Sequence, residues 1–161
     1  MFSSTGNLRV RLVEPNDEPF VFMLFCSVRG PEYAASGLSS EEQMQILHHQ
    51  YRAMHSTYAE RFPNGQHYIV SEGDQDIGRI YVNESADEIR LLDVIVHPNQ
   101  RNRGLGSKLL KQMIKHGKRH GKTVRFYVWA TNHAAQRFYK RHGFVQVRDD
   151  QSYLLFERTF T

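Results

Sequence analysis

The residue run with the most specific chemistry is Arg101-Asn102-Arg103-Gly104-Leu105-Gly106. It follows an apolar stretch and opens an amphipathic one, so it lies at the start of a helix. Helix N-termini carry backbone N–H groups without intrahelical partners and a partial positive charge, and glycines let a phosphate approach that backbone closely. Ser107 and Lys108 continue the same turn. In form the segment is a pyrophosphate cradle. Two other phosphate loops do not fit. The dinucleotide fingerprint GxGxxG would need glycine at Leu109, and GxxxxGK[ST] occurs nowhere. A Gly-X-Gly alone is equally a helix start with two small residues, so its context must decide.

That context is a second constellation downstream: Asn132, Ala135, Phe138-Tyr139 and Gly143-Phe144. Upstream, Val96-His97-Pro98 closes the apolar stretch. The paired patterns, V-x-P before R-x-x-G-x-G and then N-x-x-A-x-x-F-Y-x-x-x-G-F, resemble the GNAT superfamily of acetyl-coenzyme A-dependent N-acetyltransferases. The resemblance is strong from about Gly78 to Phe144 and only topological before it.

It implies one N-acetyltransferase domain over residues 1–161. The fold it implies is α/β, a mixed and mostly antiparallel sheet of about seven strands flanked by about four helices, with a splayed strand pair that admits the cofactor. The implied activity is acetyl transfer from acetyl-coenzyme A to a primary amine by direct attack in a ternary complex. The backbone of Val94 and Val96, with Ile95 between them, would pair with the pantetheine arm. Arg101 to Gly106 would hold the pyrophosphate, and Ser107, Lys108, Asn132, Ala135, Phe138, Tyr139 and Arg141 would complete the cofactor side. An amide of the strand before the cradle would polarise the thioester carbonyl.

Tyr139 is the candidate general acid for the departing thiolate. It lies seven residues after Asn132, two helical turns that put both on one face. The competing reading of Phe138-Tyr139 is an aromatic helix face packed on the sheet. Two acids, Glu88 and Asp93, lie nearest the expected acetyl position and are candidate bases, as is a chain of waters. Their separation of five residues puts them on opposite faces of a regular strand, so only one faces the cleft unless a bulge intervenes. Asp93 sits among apolar neighbours and needs a partner such as Arg79 or Arg90, so a structural ion pair competes with catalysis. Glu88 is otherwise a solvated strand end. His116 and His120, four apart, lack a third ligand, so no metal is expected. One ring of His48-His49 is expected to edge the acceptor pocket. Trp129 reads as core or cleft wall and Cys26 as an inert buried thiol.

Around these residues the elements follow from periodicity. Leu8–Val13 alternates as a half-buried strand, and Asn16 or Asp17 caps an apolar helix reaching about Val28. Ser39 with Glu42 forms a capping box for a long amphipathic helix that ends near Pro63-Asn64-Gly65. His67–Ser71 and Ile77–Val82 make a hairpin, and Ile89–Val96 a third strand. Gly104–His120 is a helix, Thr123–Trp129 a strand and Asn132–Arg141 a short helix. Phe144–Val147 and Tyr153–Phe156 then form a hairpin around Asp149-Asp150.

Charge is segregated. Between Val94 and Arg148 there are thirteen Lys and Arg and no acid, while the other eight Lys and Arg share the chain with all seventeen acids. One part suits an anion and the other a cation. A sequence pI near 9.3 raises a nucleic-acid-binding module as an alternative, but basic residues interleaved with exposed aromatics are missing. A non-catalytic acyl-coenzyme A sensor is the other alternative. A single cysteine, no signal-like start and no long apolar run predict a cytoplasmic protein without membrane or nucleic-acid partners. The acceptor stays open among a small amine, an aminoglycoside, a polyamine and a protein N-terminus. Glu32, Glu41, Glu42, Glu60, Asp87 and Glu88 are acids available to attract it, and Tyr33, Tyr51, Tyr58 and Phe62 could form an apolar wall. A homodimer is compatible, with Tyr153–Phe156 as a strand that could pair between subunits.

Overall fold

The computed structural model describes residues 1–161. The alternating first strand, β1 (Leu8–Leu12), is followed by two helices, α1 (Glu18–Arg29) and α2 (Ser40–Arg61). Three antiparallel strands come next: β2 (Gln66–Glu72), β3 (Gln75–Glu84) and β4 (Glu88–Val96). Then follow α3 (Leu105–His120), β5 (Thr123–Trp129), α4 (His133–Arg141), β6 (Val145–Asp149) and β7 (Tyr153–Arg158). All seven strands join one mixed sheet in the order β1-β2-β3-β4-β5-β7-β6, the fold expected.

Local chemistry sets the boundaries. Ser39 Oγ accepts from the Glu42 amide at 3.2 Å while the Glu42 carboxylate accepts from the Ser39 amide at 2.7 Å, so both ends of the capping box close and α2 begins there. The expected Asp17 cap is not made. Asp17 is buried and accepts from the Arg11 guanidinium at 2.7 Å, because a buried carboxylate gains more from a charged partner than from a helix amide. That guanidinium, with the Glu14 amide, holds its carboxyl below the usual carboxylate range despite burial.

One apolar core lies beneath α3 and α4, where Leu109, Met113, Phe126 and Phe156 are almost wholly buried. A smaller one lies beneath α1 and α2, around Val21, Phe25, Leu47, Tyr51 and Ile69. Each such side chain contributes about 1.5–3 kcal/mol by leaving water. Gly117 lets α3 sit close on the sheet, since a Cβ there would lie 2.9 Å from both the Lys122 carbonyl and Val124. Because α3 crosses over the sheet, β4 and β5 run parallel, the only parallel pair in the sheet.

Two expectations need correction. Tyr153–Phe156 is not a free edge for a partner subunit, since β7 is paired with β5 on one side and β6 on the other. Strict alternation also fails in β4. Tyr81 pairs with Asp93 but Val82 with Leu91, so Leu92 is an extra residue in a bulge. The bulge resets the parity, and Glu88 and Asp93 end on the same face of the sheet.

Candidate active site

Four short structural causes shape the cradle. Proline ends β4 at His97-Pro98, and the His97 ring accepts from the Asn99 amide at 3.1 Å, turning the chain back. Arg101 donates to the Val96 carbonyl at 3.0 Å and to Ser27 Oγ at 3.1 Å, tying the turn to β4 and α1. Asn102 (φ 61°) and Gly104 (φ 80°) are left-handed, which folds the loop into a concavity of backbone N–H groups. The helix bond from the Lys108 amide to the Gly104 carbonyl, 3.0 Å, is the first of α3, so the amides of Leu105, Gly106 and Ser107 have no intrahelical acceptor.

Space matches these donors. Nothing lies within 4 Å of a Cβ built on Gly104, and Val96, Arg101, Asn102, Gly104–Ser107 and Phe138 line a cavity of about 390 Å³. The residues therefore fit a pyrophosphate. Arg103, Lys108 and Arg141 are exposed and do not line the cavity. Arg103 reaches Gln100 and Glu72, and Arg141 lies 6.0 Å over the Phe138 ring.

Beyond the cradle the sheet opens. β4 and β5 are paired only from Glu88–Leu91 to Thr123–Phe126, although both continue, to Val96 and Trp129. A cavity of about 140 Å³ lies in this gap, walled by Leu91–Val94 and Phe126–Trp129, with Asn132, Ala135 and Tyr139 of the α4 segment on its floor. Asn132 caps α4 by accepting from the Ala135 amide at 3.1 Å. Tyr139 packs on Phe126, with ring centroids 3.8 Å apart. Burial, and then the negative charge of Asp93, push its hydroxyl up to about 12. Tyr139 also borders a small void beside Gly106, which lies between the gap and the cradle.

On the opposite face the gap meets a chamber of about 360 Å³ beneath α1 and α2. Its walls include Val28, Met54, Tyr58, Trp129 and Tyr153, with Arg29 and Glu32 paired at 3.3 Å and Asp93 on the floor. Asp93 is therefore shared by gap and chamber. Its carboxylate is ion-paired with Arg79, which is fully buried. The Arg79 guanidinium also donates to the Nε2 atoms of His55 at 3.1 Å and His67 at 3.4 Å. A guanidinium cannot accept, so both Nε2 atoms are unprotonated, and His55 donates through Nδ1 to the Tyr51 carbonyl at 3.0 Å. Burial first, and then the Arg79 charge, lower both histidines, His67 to about 3. Among fully buried side-chain nitrogen and oxygen atoms, Arg79 Nε has no partner.

The family model for the acetyltransferase (GNAT) family matches residues 32–144, more than half of the chain. The chain belongs to the GNAT acetyltransferase family. By sequence it matches none of the curated proteins. Among solved structures it is similar to the PaiA N-acetyltransferase of Thermoplasma acidophilum in complex with coenzyme A. That match has 19% identity and a TM-score of 0.71 over 95% of this chain and 99% of that one. It is similar to the ribosomal-protein-S18-alanine N-acetyltransferase of Escherichia coli at 16% identity, TM-score 0.63, over 96% and 94%. Campylobacter jejuni PseH in complex with acetyl coenzyme A matches at 18% identity, TM-score 0.60, over 96% and 99%. As a GNAT N-acetyltransferase the protein uses acetyl-coenzyme A as its acetyl donor.

In this GNAT chain the expected residues divide. Asp93, Val94, Asn132, Ala135 and Tyr139 meet at the gap, and Val96, Arg101, Asn102, Gly104–Ser107 and Phe138 at the cradle. Ile95 turns its buried side chain to the chamber. Glu88 lines none of these cavities and is engaged by Arg90 and Arg125, each at 3.1 Å. Of the acids and aromatics proposed for the acceptor, only Glu32 and Tyr58 reach the chamber. Tyr51 is core, and Phe62 borders a neighbouring cavity. His48 stacks on Phe22 at 3.9 Å and lines no part of the chamber. Arg29, Leu92, Tyr127 and Tyr153 also line the chamber, and the aromatic alternation of Tyr127 and Trp129 along β5 is the one signal of this in the sequence.

Proposed function

We propose that this enzyme acetylates a primary amine by direct attack within a ternary complex, with the amine in the chamber beneath α1 and α2 and acetyl-coenzyme A entering from the cradle. The observation that carries this reading is the chain of adjoining cavities. They run from Arg101–Gly106, past Gly106 and Tyr139, through the gap between β4 and β5, to Asp93 and the chamber. A protein that only sensed acyl-coenzyme A would have no use for a chamber on the far side of the gap. The cofactor supplies an activated acetyl group and a thiolate leaving group.

The protein residues then have separable tasks. The free amides of Leu105, Gly106 and Ser107 receive pyrophosphate charge, and the edge of β4 that has parted from β5 offers backbone groups of Asp93 to Ile95 to an amide-bearing arm, between the Leu92 carbonyl held by Tyr58 and the Val96 carbonyl held by Arg101. One of those amides polarises the thioester carbonyl. Asp93, held in place by Arg79, attracts an ammonium group and takes its proton, so that an N–H bond breaks and an O–H bond forms. Glu88, caged by two arginines, is the less favoured base. Tyr139, raised to about 12, keeps its proton at neutral pH and donates it to the departing sulfur. The apolar surroundings that raise the phenol also raise a thiol, so burial alone does not widen the gap the proton must cross.

Calorimetric titration with acetyl-coenzyme A, at low and moderate salt and beside random duplex DNA, tests the site. Saturable one-site cofactor binding without a DNA response is expected. No cofactor binding, with salt-sensitive DNA binding, would overturn the reading in favour of a nucleic-acid module. Tyr139→Phe should lower kcat about 10²-fold, and normal turnover would remove Tyr139 as the acid.

A further inference from the structure

A second chamber adjoins the first. It measures about 460 Å³ and shares Tyr58, Leu92, Tyr127 and Tyr153 with it, so the two adjoin across these four residues. Their electrostatics differ. The first holds two acids and one arginine, with Glu32 tied to Arg29 and Asp93 tied to Arg79. The second is bordered by Arg61, Arg90 and Arg148 and a single acid, Asp150.

The three arginines are not equally neutralised. Arg148 is paired with Asp150 at 2.9 Å and also donates to the Tyr127 hydroxyl. Arg90 is paired with Glu88 at 3.1 Å, and Arg125, which shares that carboxylate, is itself paired with Glu157 at 2.8 Å, so the unbalanced charge is that of Arg61. Arg61 makes no ion pair and lies 5.9 Å over the Phe62 ring. Arg90 and Arg148 both lie against Tyr127, 5.7 and 5.6 Å from its ring centroid, which limits their conformations. An excess of positive charge thus borders a cavity whose remaining walls are aromatic or apolar.

We infer that the acceptor is a small primary amine carrying an apolar or aromatic body and an acidic group, with the acidic group held in the second chamber by Arg61, Arg90 and Arg148. This inference rests on the proposed amine transfer at Asp93. The ammonium faces Asp93, the body lies between Tyr58, Trp129 and Tyr153, and the anion meets the guanidinium groups, whose planar donors suit carboxylate and phosphate alike. Each chamber is of the size that takes a drug-sized molecule or part of one. A polyamine or aminoglycoside fits poorly, because its further charges would meet three arginines and its hydroxyl or ammonium groups would lose water against aromatic walls.

Trp129 is the only tryptophan and stands in the wall of the first chamber, so its fluorescence reports occupancy without any need for turnover. The enzyme with coenzyme A is titrated with 4-(2-aminoethyl)benzoate and its methyl ester, with tyramine phosphate and tyramine, and with spermidine. Each acidic probe should bind at least about 10-fold more tightly than its neutral counterpart, as expected for a charge-assisted contact of 1.4 kcal/mol or more. The benzoate and phosphate arms then show which anion is preferred. In Arg61→Gln and Arg148→Gln that preference should fall toward one. Equal binding of acidic and neutral probes, a preference that survives both substitutions, or tighter binding of spermidine would overturn the inference. Selective binding of the acidic probes with no acetylated product would leave the anion site standing and remove the amine-transfer reading instead.

Discussion

On the cradle side of the cleft the groups that face a ligand belong mostly to the main chain, whereas on the acceptor side nearly all of them belong to side chains. The amides of Leu105–Ser107 and the unpaired edge of β4 are fixed once the backbone is fixed. Tyr58, Trp129, Tyr153 and the arginines of the second chamber present side chains rather than main chain to the cavities. A ligand that never changes can be met by backbone, while a ligand that differs between enzymes is better met by replaceable side chains. The buried Arg79 network is the exception on the acceptor side, because it is a structural part as well as a support for Asp93.

The sharpest way to break this contrast is Asp93→Asn. It should lower kcat/KM with a good amine by about 10²-fold or more, as expected for loss of a general base. Acetyl-coenzyme A affinity should move far less. A comparable loss of cofactor affinity would show that the two sides are not separable. A pH–rate profile of this variant beside Glu88→Gln should show the acid-side limb, along which rate rises as the base loses its proton, disappearing only for Asp93→Asn.

Acid should next reveal the buried network. The ordinary histidine value is about 6.5, and the folded protein lowers His67 to about 3, so between these values the unfolded chain binds more protons. Stability contributed by neutral His67 is complete above about pH 6.5 and is lost as pH falls toward 3, at most about 3 kcal/mol by pH 4. Urea unfolding at pH 7, 5.5 and 4.5 should show this decline, and His67→Gln should flatten it. An unchanged slope in that variant would place the acid sensitivity elsewhere.

On the cradle side, Gly104→Val puts a β-branched residue at a left-handed φ of 80° and a side chain into the open space over the loop. The backbone strain costs about 1–3 kcal/mol, and acetyl-coenzyme A should bind about 10-fold more weakly. Affinity equal to the parent would remove the loop as a phosphate site. The smallest expected effect is that of salt. Raising ionic strength from 0.05 to 0.15 M should weaken the cofactor by about 2- to 4-fold, since exposed Arg103, Lys108 and Arg141 act through solvent. The first-chamber contacts of an uncharged aromatic amine body should scarcely respond.

Much of the cradle was legible because its chemistry demands particular backbone conformations. Gly104 is required by φ, Pro98 stops a strand, and Asn132 caps a helix, so each leaves a residue type at a fixed spacing. The acceptor side leaves no such record. That Tyr58 reaches the chamber while Tyr51, seven residues earlier, is sealed in the core depends on where α2 lies over the sheet. The parity of Glu88 and Asp93 was unreadable for a related reason. Only the register of β3 against β4 reveals the extra residue at Leu92. Asp17 is ambiguous in sequence because both a cap and an ion pair suit an aspartate, and its proximity to Arg11 is a tertiary fact.

The four-residue pairing between β4 and β5 also divides the molecule mechanically. On one side lies the sub-sheet β1–β4 carrying α1 and α2, and on the other β5, β7 and β6 carrying α4. Within the sheet these two plates are stitched only from Glu88 to Leu91, at the end farthest from the cradle, as the spine of a book joins its covers. Beneath that seam α3 and a single core, in which Ile80 and Ile89 of one cover join Val124 and Phe156 of the other, act as the binding that fixes how far the covers stand apart.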